Sequence, residues 1–290
     1  PGQAVLALQN DITTCRAGDR LRFPLVDGAE TLEVTVASAR FRAGDGERLA
    51  GEVRRLVPEA QGQAFNQAVE VRFREDTVVP AGLTGVNLAQ FGDGFVIENN
   101  RVFNSASRGI VCNIGNGTLR NNRVDTTYLC GIHIFEFLRE GGAGFVENVD
   151  ITGNDIRWSC VAQPPRAGWS GGITLTSWSR VYGAGNGHRD VRIAGNTFRQ
   201  NIGVNLQVHC ASTVTIEGNR FVQTHPLPAA EETLRRDIDN GSVVFLDDAL
   251  DVRLADNVVG ALGAHADRDN LLGMSETVHG VSGEPLRVSE

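Results

Sequence analysis

Six times along the chain an apolar strand runs into an asparagine by the same short path. The copies are Ile97-Glu98-Asn99-Asn100, Leu119-Arg120-Asn121-Asn122, Ile151-Thr152-Gly153-Asn154, Ile193-Ala194-Gly195-Asn196, Ile216-Glu217-Gly218-Asn219 and Leu254-Ala255-Asp256-Asn257. The final asparagines are spaced by 22, 32, 42, 23 and 38 residues, a basic period of about 22 with insertions. A repeat of that length is one unit of a stacked architecture, in which each unit buries its apolar face only against its neighbours. Apolar residues alternate within the units, as in Val149-Asp150-Ile151 and Val214-Thr215-Ile216, so the period is two and the element is a strand. Each unit then bends at the Gly/Asn pair, with Phe103, Phe198 and Phe221 expected as inward aromatics just beyond it. Second strands are led by glycine: Gly109-Ile110-Val111-Cys112, Gly131-Ile132-His133-Ile134, Gly172-Ile173-Thr174-Leu175 and Gly203-Val204-Asn205-Leu206. Stacking superposes the repeated asparagines, whose amides can then bond along the stack and satisfy the bends, so their expected role is structural.

The chain is thus expected to be all-β, with a β-solenoid over residues 86–262. Residues 1–85 lack the repeat and carry separated alternating strands at Ala4–Leu8, Arg20–Phe23, Thr31–Val36 and Ala68–Phe73, which predict a small antiparallel β-barrel or sandwich module. Residues 263–290 are polar and are expected to form a cap strand or tail. The chain opens Pro-Gly-Gln, which reads as a processed form or a fragment. A solenoid opened at that end exposes core and strand edges, so a homo-oligomer or a missing N-terminal segment is expected to cover it.

Composition excludes several function classes. The net charge is −8, which argues against a dedicated nucleic-acid binder, because phosphate contacts need a basic surface. All 27 basic residues are arginine, so Schiff-base chemistry, a phosphate-loop lysine and a lysine general base are ruled out. No apolar run approaches the ~20 residues that span a bilayer as a helix. The five cysteines, Cys15, Cys112, Cys130, Cys160 and Cys210, show no C-x-x-C spacing and read as buried core thiols. Nothing here separates a secreted, periplasmic or cytoplasmic location.

Coils of the pattern V-x-I-x-x-N-x-F with G-I-x-I strands resemble right-handed parallel β-helix proteins, a group dominated by enzymes and binders of carbohydrate. The order of parts is more specific: Ala17-Gly18-Asp19-Arg20-Leu21-Arg22-Phe23 opens an antiparallel module, and coils beginning Gly94-Phe95-Val96-Ile97-Glu98-Asn99-Asn100 follow it. That order resembles the inverting α-1,3-galactosidase group of β-helix glycoside hydrolases, in which a small barrel is inserted into the helix. The group's Asp-Asp-Gly-x-Asn-x-His-Gly motif does not occur in this sequence, so no family catalytic residue transfers to it. The resemblance implies that the main catalytic carboxylates lie in coils preceding these 290 residues.

Read from the residues themselves, strand parity sends Ile132 and Ile134 inward and His133 and Phe135 outward. The same parity exposes Thr174 and Thr176, then Asn205, Gln207 and His209, with Phe245 and Asp247 continuing the strip. This is either a solvated outer face or a groove for sugar hydroxyls and ring faces. Long insertions beside it carry Arg139, Trp169, Trp178, Tyr182 and His188, of which Trp169 and Trp178 serve either as sugar platforms or as a lid over a coil. For acid and base, the candidates are Glu136 at the end of the His133 strand and the Asp247-Asp248 pair. Glycoside hydrolysis needs two carboxyl groups ~6.5–9.5 Å apart for inversion and ~5–5.5 Å for retention. Asp237, Asp239 and Asn240 are a weak Ca²⁺ candidate that lacks a full calcium-loop spacing. No zinc-type histidine spacing is present, so no metal ligand is assigned.

The expected partner is an oligo- or polysaccharide, and the leading expectation is a glycoside hydrolase acting on galactose-containing or related glycans. Two alternatives stay open: a non-catalytic glycan-binding or structural β-helix, and a polysaccharide lyase or epimerase using Arg or His as base with Ca²⁺ on a uronate.

Overall fold

The computed structural model describes residues 2–8, 15–24, 31–42, 48, 55, 67–79, 86–87, 94–136, 145–161, 171–177, 187–227, 241–284 and 286–289. The chain forms two compact units, the first made chiefly of residues 1–92 and the second of residues 93–136 and 145–290.

The first unit is antiparallel, as its alternating segments predict. Strands β1 (Gln3–Leu8), β2 (Arg20–Pro24), β3 (Thr31–Arg42), β4 (Gln67–Phe73) and β5 (Val86–Asn87) form one sheet in the order β1-β4-β3-β2-β5. β3 pairs with β2 through Thr31–Thr35 and with β4 from Val36 onward, the second pairing shifting register between Val36 and Ser38. Its core is Leu21, Phe23, Val34, Val36, Val69, Val71 and Phe73, with Cys15 buried among them. On the opposite parity Glu33 is gripped by Arg20 and Arg22, which hold its carboxyl below the usual range despite partial burial. Among the described residues the five strands are linked through β3 into one hydrogen-bonded series.

The second unit consists of three parallel ladders. The first ladder takes β8 (Ile110–Cys112), β11 (Ile132–Phe135), β14 (Ile173–Thr176), the start of β17 (Leu206–Glu217), the start of β19 (Val244–Ala255) and β21 (Leu272–Met274). The second takes β6 (Val96–Glu98), β9 (Gly117–Arg120), β12 (Glu147–Thr152), β15 (His188–Ala194), the ends of β17 and β19, and β22 (Ser282–Gly283). The third takes β7 (Arg101–Ser105), β10 (Arg123–Thr127), β13 (Asp155–Arg157), β16 (Thr197–Arg199), β18 (Arg220–Val222), β20 (Val258–Val259) and β23 (Arg287–Val288). Residues 263–290 thus supply one further strand to each ladder.

The bend from the second ladder to the third explains the repeated asparagine. Its first residue is left-handed in every copy, at Asn99, Asn121, Gly153, Gly195, Gly218 and Asp256 with φ between 52° and 64°, a region open to Gly and tolerated by Asn and Asp. The next residue is the ladder asparagine. The Nδ2 of Asn100, Asn122, Asn154, Asn196 and Asn219 donates to Oδ1 of the following one at 2.9–3.0 Å. Their main-chain N–H groups donate to the same oxygens at 2.9–3.1 Å. Each Nδ2 from Asn122 onward also reaches the carbonyl of Ile97, Leu119, Ile151, Ile193 or Ile216 in the preceding repeat. Buried amides are thereby satisfied as the bend requires.

Apolar columns flank this ladder. Leu119, Ile151, Ile193, Ile216 and Leu254 precede it and Val124, Ile156, Phe198, Phe221 and Val259 follow it, all buried in one core. Phe198 stacks on Phe221 with ring centroids 4.8 Å apart. The inward position lies two residues past the asparagine, so Val102 occupies it in the first copy and Phe103, expected to point inward, is 59% exposed. All five cysteines are free and buried, in agreement with their reading as core thiols.

Asn196→Ala leaves the Asn154 donors and the Ile151 carbonyl without partners in a buried site, and should cost about 3–5 kcal/mol. Asn100→Ala, at the exposed end, should cost at most about 1 kcal/mol. Urea unfolding of the two variants checks the contrast, and equal midpoints would remove the ladder as a source of stability.

Candidate functional site

The side of the first ladder opposite its apolar column carries three columns of polar and aromatic residues. His133, Thr174, Gln207 and Phe245 face one another in register on β11, β14, β17 and β19. Phe135 pairs with Thr176, and His209 pairs with Asp247 at the equivalent level. One residue further, Glu136, Ser177, Cys210 and Asp248 leave the same four strands.

The alignment agrees with strand parity, but the expected exposure does not. His133, Phe135, Glu136, Thr174, Thr176, Asn205, Gln207, His209, Phe245 and Asp247 are all buried. Alternation fixes which side of a sheet a side chain leaves and says nothing of what covers that side. At the strand-end level Ser177 and Asp248 are half-buried and the neighbouring Thr277 is exposed. Asn205 also leaves the strip: its carbonyl accepts from Gly172 and Ile173, and its amide is engaged by Asn201 and Gly203. It is a turn-forming residue.

Burial obliges the polar groups to pair. His133 Nε2 lies 2.7 Å from Thr176 Oγ1, and its ring stacks on Phe135. His188 Nδ1 accepts the Val146 N–H at 3.1 Å while Nε2 donates to the Thr176 carbonyl at 2.9 Å. A proton on Nδ1 would face another donor, so the geometry demands a neutral ring. Burial accordingly lowers the His188 pKa to about 4. Burial, then the Arg108 charge, then His188 hold His133 well below the ordinary histidine range. Nδ1 of His133 and Oε1 of Gln207 are buried without a hydrogen-bond partner.

At the open end the Ser177 hydroxyl donates to Glu136 Oε1 at 3.0 Å. His209 Nδ1 lies 3.0 Å from Asp247 Oδ2, within ion-pair range but out of line for a hydrogen bond. The Thr277 hydroxyl approaches Asp247 Oδ1 at 3.4 Å and accepts the Asp248 N–H at 3.0 Å. Cys210 sits among these groups, and its thiol is pushed well above the ordinary range by burial, then by Asp248 and Glu136. A thiol held neutral is a poor nucleophile.

Arg139, Trp169, Trp178 and Tyr182 lie outside the described residues, as do Asp237, Asp239 and Asn240. Among the described residues no three His, Cys, Asp or Glu side chains gather as a metal site, and no helix is long and apolar enough to cross a membrane. Ser177, Cys210 and Thr277 were not legible as site residues. The first two occupy the Glu136 position one and two strands further along, a relation visible only once the ladder register is known. No family model matches the sequence, and a search of curated proteins finds no match.

His188 supplies a pH test. Its folded pKa of about 4 lies below the ordinary 6.5, so its contribution is complete above pH 6.5 and is lost as pH falls toward 4. The full loss is about 3 kcal/mol. In His188→Gln the fall in unfolding free energy over that window should shrink by about that amount. An unchanged slope would contradict the neutral buried ring.

Proposed function

We propose that the chain is a right-handed parallel β-helix protein that hydrolyses glycosidic bonds, with galactose-containing or related glycans as substrate. The helix reading is supported by the three parallel ladders, each fed one strand per repeat in a fixed order. The observation that carries the functional reading is the placement of Glu136, Asp247 and Asp248 at the strand-end of the polar row, with Ser177, His209 and Thr277 bonded or adjacent to them. Glu136 and Asp247 stand three strand steps apart, about 14 Å between main chains. That strand spacing is closer to the wider separation of an inverting pair than to the ~5–5.5 Å of retention. In this reading one carboxyl protonates the leaving oxygen and the other activates water.

A second reading, a non-catalytic glycan-binding or structural β-helix, is favoured by the complete burial of His133, Thr174 and Gln207. An NMR time course on a galactoside panel separates the two. Hydrolysis predicts release of the inverted anomer, and a rate loss of about 10²–10⁴-fold in Glu136→Gln and Asp247→Asn with the fold retained. No turnover of any galactoside, or turnover that both variants keep, would exclude these carboxylates as the catalysts.

A further inference from the structure

We propose that Cys130 and Cys160 form a disulfide that cross-links two successive repeats beside the polar row. The proposal is independent of the glycan reading.

Main-chain hydrogen bonding sets the two cysteines opposite each other. In the first ladder the N–H of one residue bonds the carbonyl just before its register partner, as Ile132 bonds Gly172 while standing opposite Ile173. By the same rule the Cys160 N–H, which donates to the Leu129 carbonyl at 2.9 Å, places Cys160 opposite Cys130. The pattern continues along the stack, with Ile202 bonded to the Ser159 carbonyl and His225 to the Asn201 carbonyl, both at 3.1 Å. Cys130, Cys160, Ile202 and His225 therefore make one column, and all four are buried. Neighbouring strands lie about 4.8 Å apart, inside the roughly 4.4–6.8 Å between α-carbons that a disulfide spans. Close packing holds that spacing: a Cβ on Gly131, the residue after Cys130, would lie 2.7 Å from the Gly172 carbonyl oxygen.

The side chains agree, since the Cys160 thiol is pushed up first by burial and then by the neighbouring Cys130. The other cysteines have different neighbours. Cys112 stands opposite Ile134, Cys210 lies between the His209–Asp247 and Ala211–Ala249 pairs, and Cys15 belongs to the first unit.

Burial also sets when the bond forms. It pushes the Cys130 thiol up to about 12, and exchange requires a thiolate, so oxidation is fast only before the two repeats close on each other. One thiolate attacks a low-molecular-weight disulfide, bonds one of its sulfurs and expels the other as a thiolate. The second protein thiolate attacks the protein sulfur of this mixed disulfide and expels the remaining small thiolate. The protein loses two protons and two electrons, and the small disulfide gains them to become two thiols. The product ties the repeat that carries His133 and Glu136 to the one that carries Thr174 and Ser177.

The test refolds the reduced full chain in oxidised and reduced glutathione, blocks remaining thiols with iodoacetamide and digests with trypsin without reductant. The expected product joins peptides 124–139 and 158–166, leaves three of the five cysteines alkylated and separates on reduction. Native chain held in the same buffer should give the same joined peptides more slowly, so the test does not depend on refolding. Urea unfolding should show the folding equilibrium of the oxidised chain improved about 10²–10³-fold over its reduced form. Cys130→Ser/Cys160→Ser should lose that difference and Cys112→Ser/Cys210→Ser should keep it. Five alkylated cysteines in the native chain after both treatments, a different cysteine pair, or loss of the native fold on oxidation would overturn the proposal.

Discussion

The asparagine ladder is the interaction on which the second unit depends. A tight bend leaves main-chain donors and acceptors turned toward a closed interior, where each unpaired group costs about 1–3 kcal/mol. One side chain per repeat answers this: its oxygen takes two donors from the repeat before, and its nitrogen bonds a carbonyl behind and an amide ahead. Because the bonds run from repeat to repeat, they also fix register. Insertions as different as the 32- and 42-residue spacings return the chain to the same place, and the apolar columns on both sides then close without offset. Hydrophobic burial supplies the driving force, and the amides decide which strand lies on which.

Register in turn creates the polar row. His133, Thr174 and Gln207 are separated by dozens of residues yet occupy one level because β11, β14 and β17 are held in phase. A row of this kind is costly unless its members pair, and most do, with Thr176 serving both His133 and His188. Of the carboxylates beside the row, Asp248 is half-buried and Glu136 and Asp247 are buried. Burial keeps His133 and His188 neutral and the Cys210 thiol protonated.

Much of this was written locally. The six bends could be read because their geometry admits few residue types, and the strands because alternation is a short-range signal. Inward and outward parity was right for Ile132, Ile134, Ile173 and Leu175. What escaped was set at long range. Phe103 misled because an aromatic beside a bend resembles its later counterparts, although the inward position is one residue earlier. The outer strip was expected in solvent because no local pattern states what covers it. Ser177 and Cys210 carried no motif; they matter only through alignment with Glu136 and Asp248.

The most direct measurement of the central claim is an NMR titration of the full chain with a galactoside, followed at the main-chain amides. The account predicts saturable shifts confined to the strand-end level of the first ladder, at residues 136, 177, 210, 247 and 248. Shifts distributed along the asparagine ladder, or none at saturating sugar, would contradict a glycan site at this place.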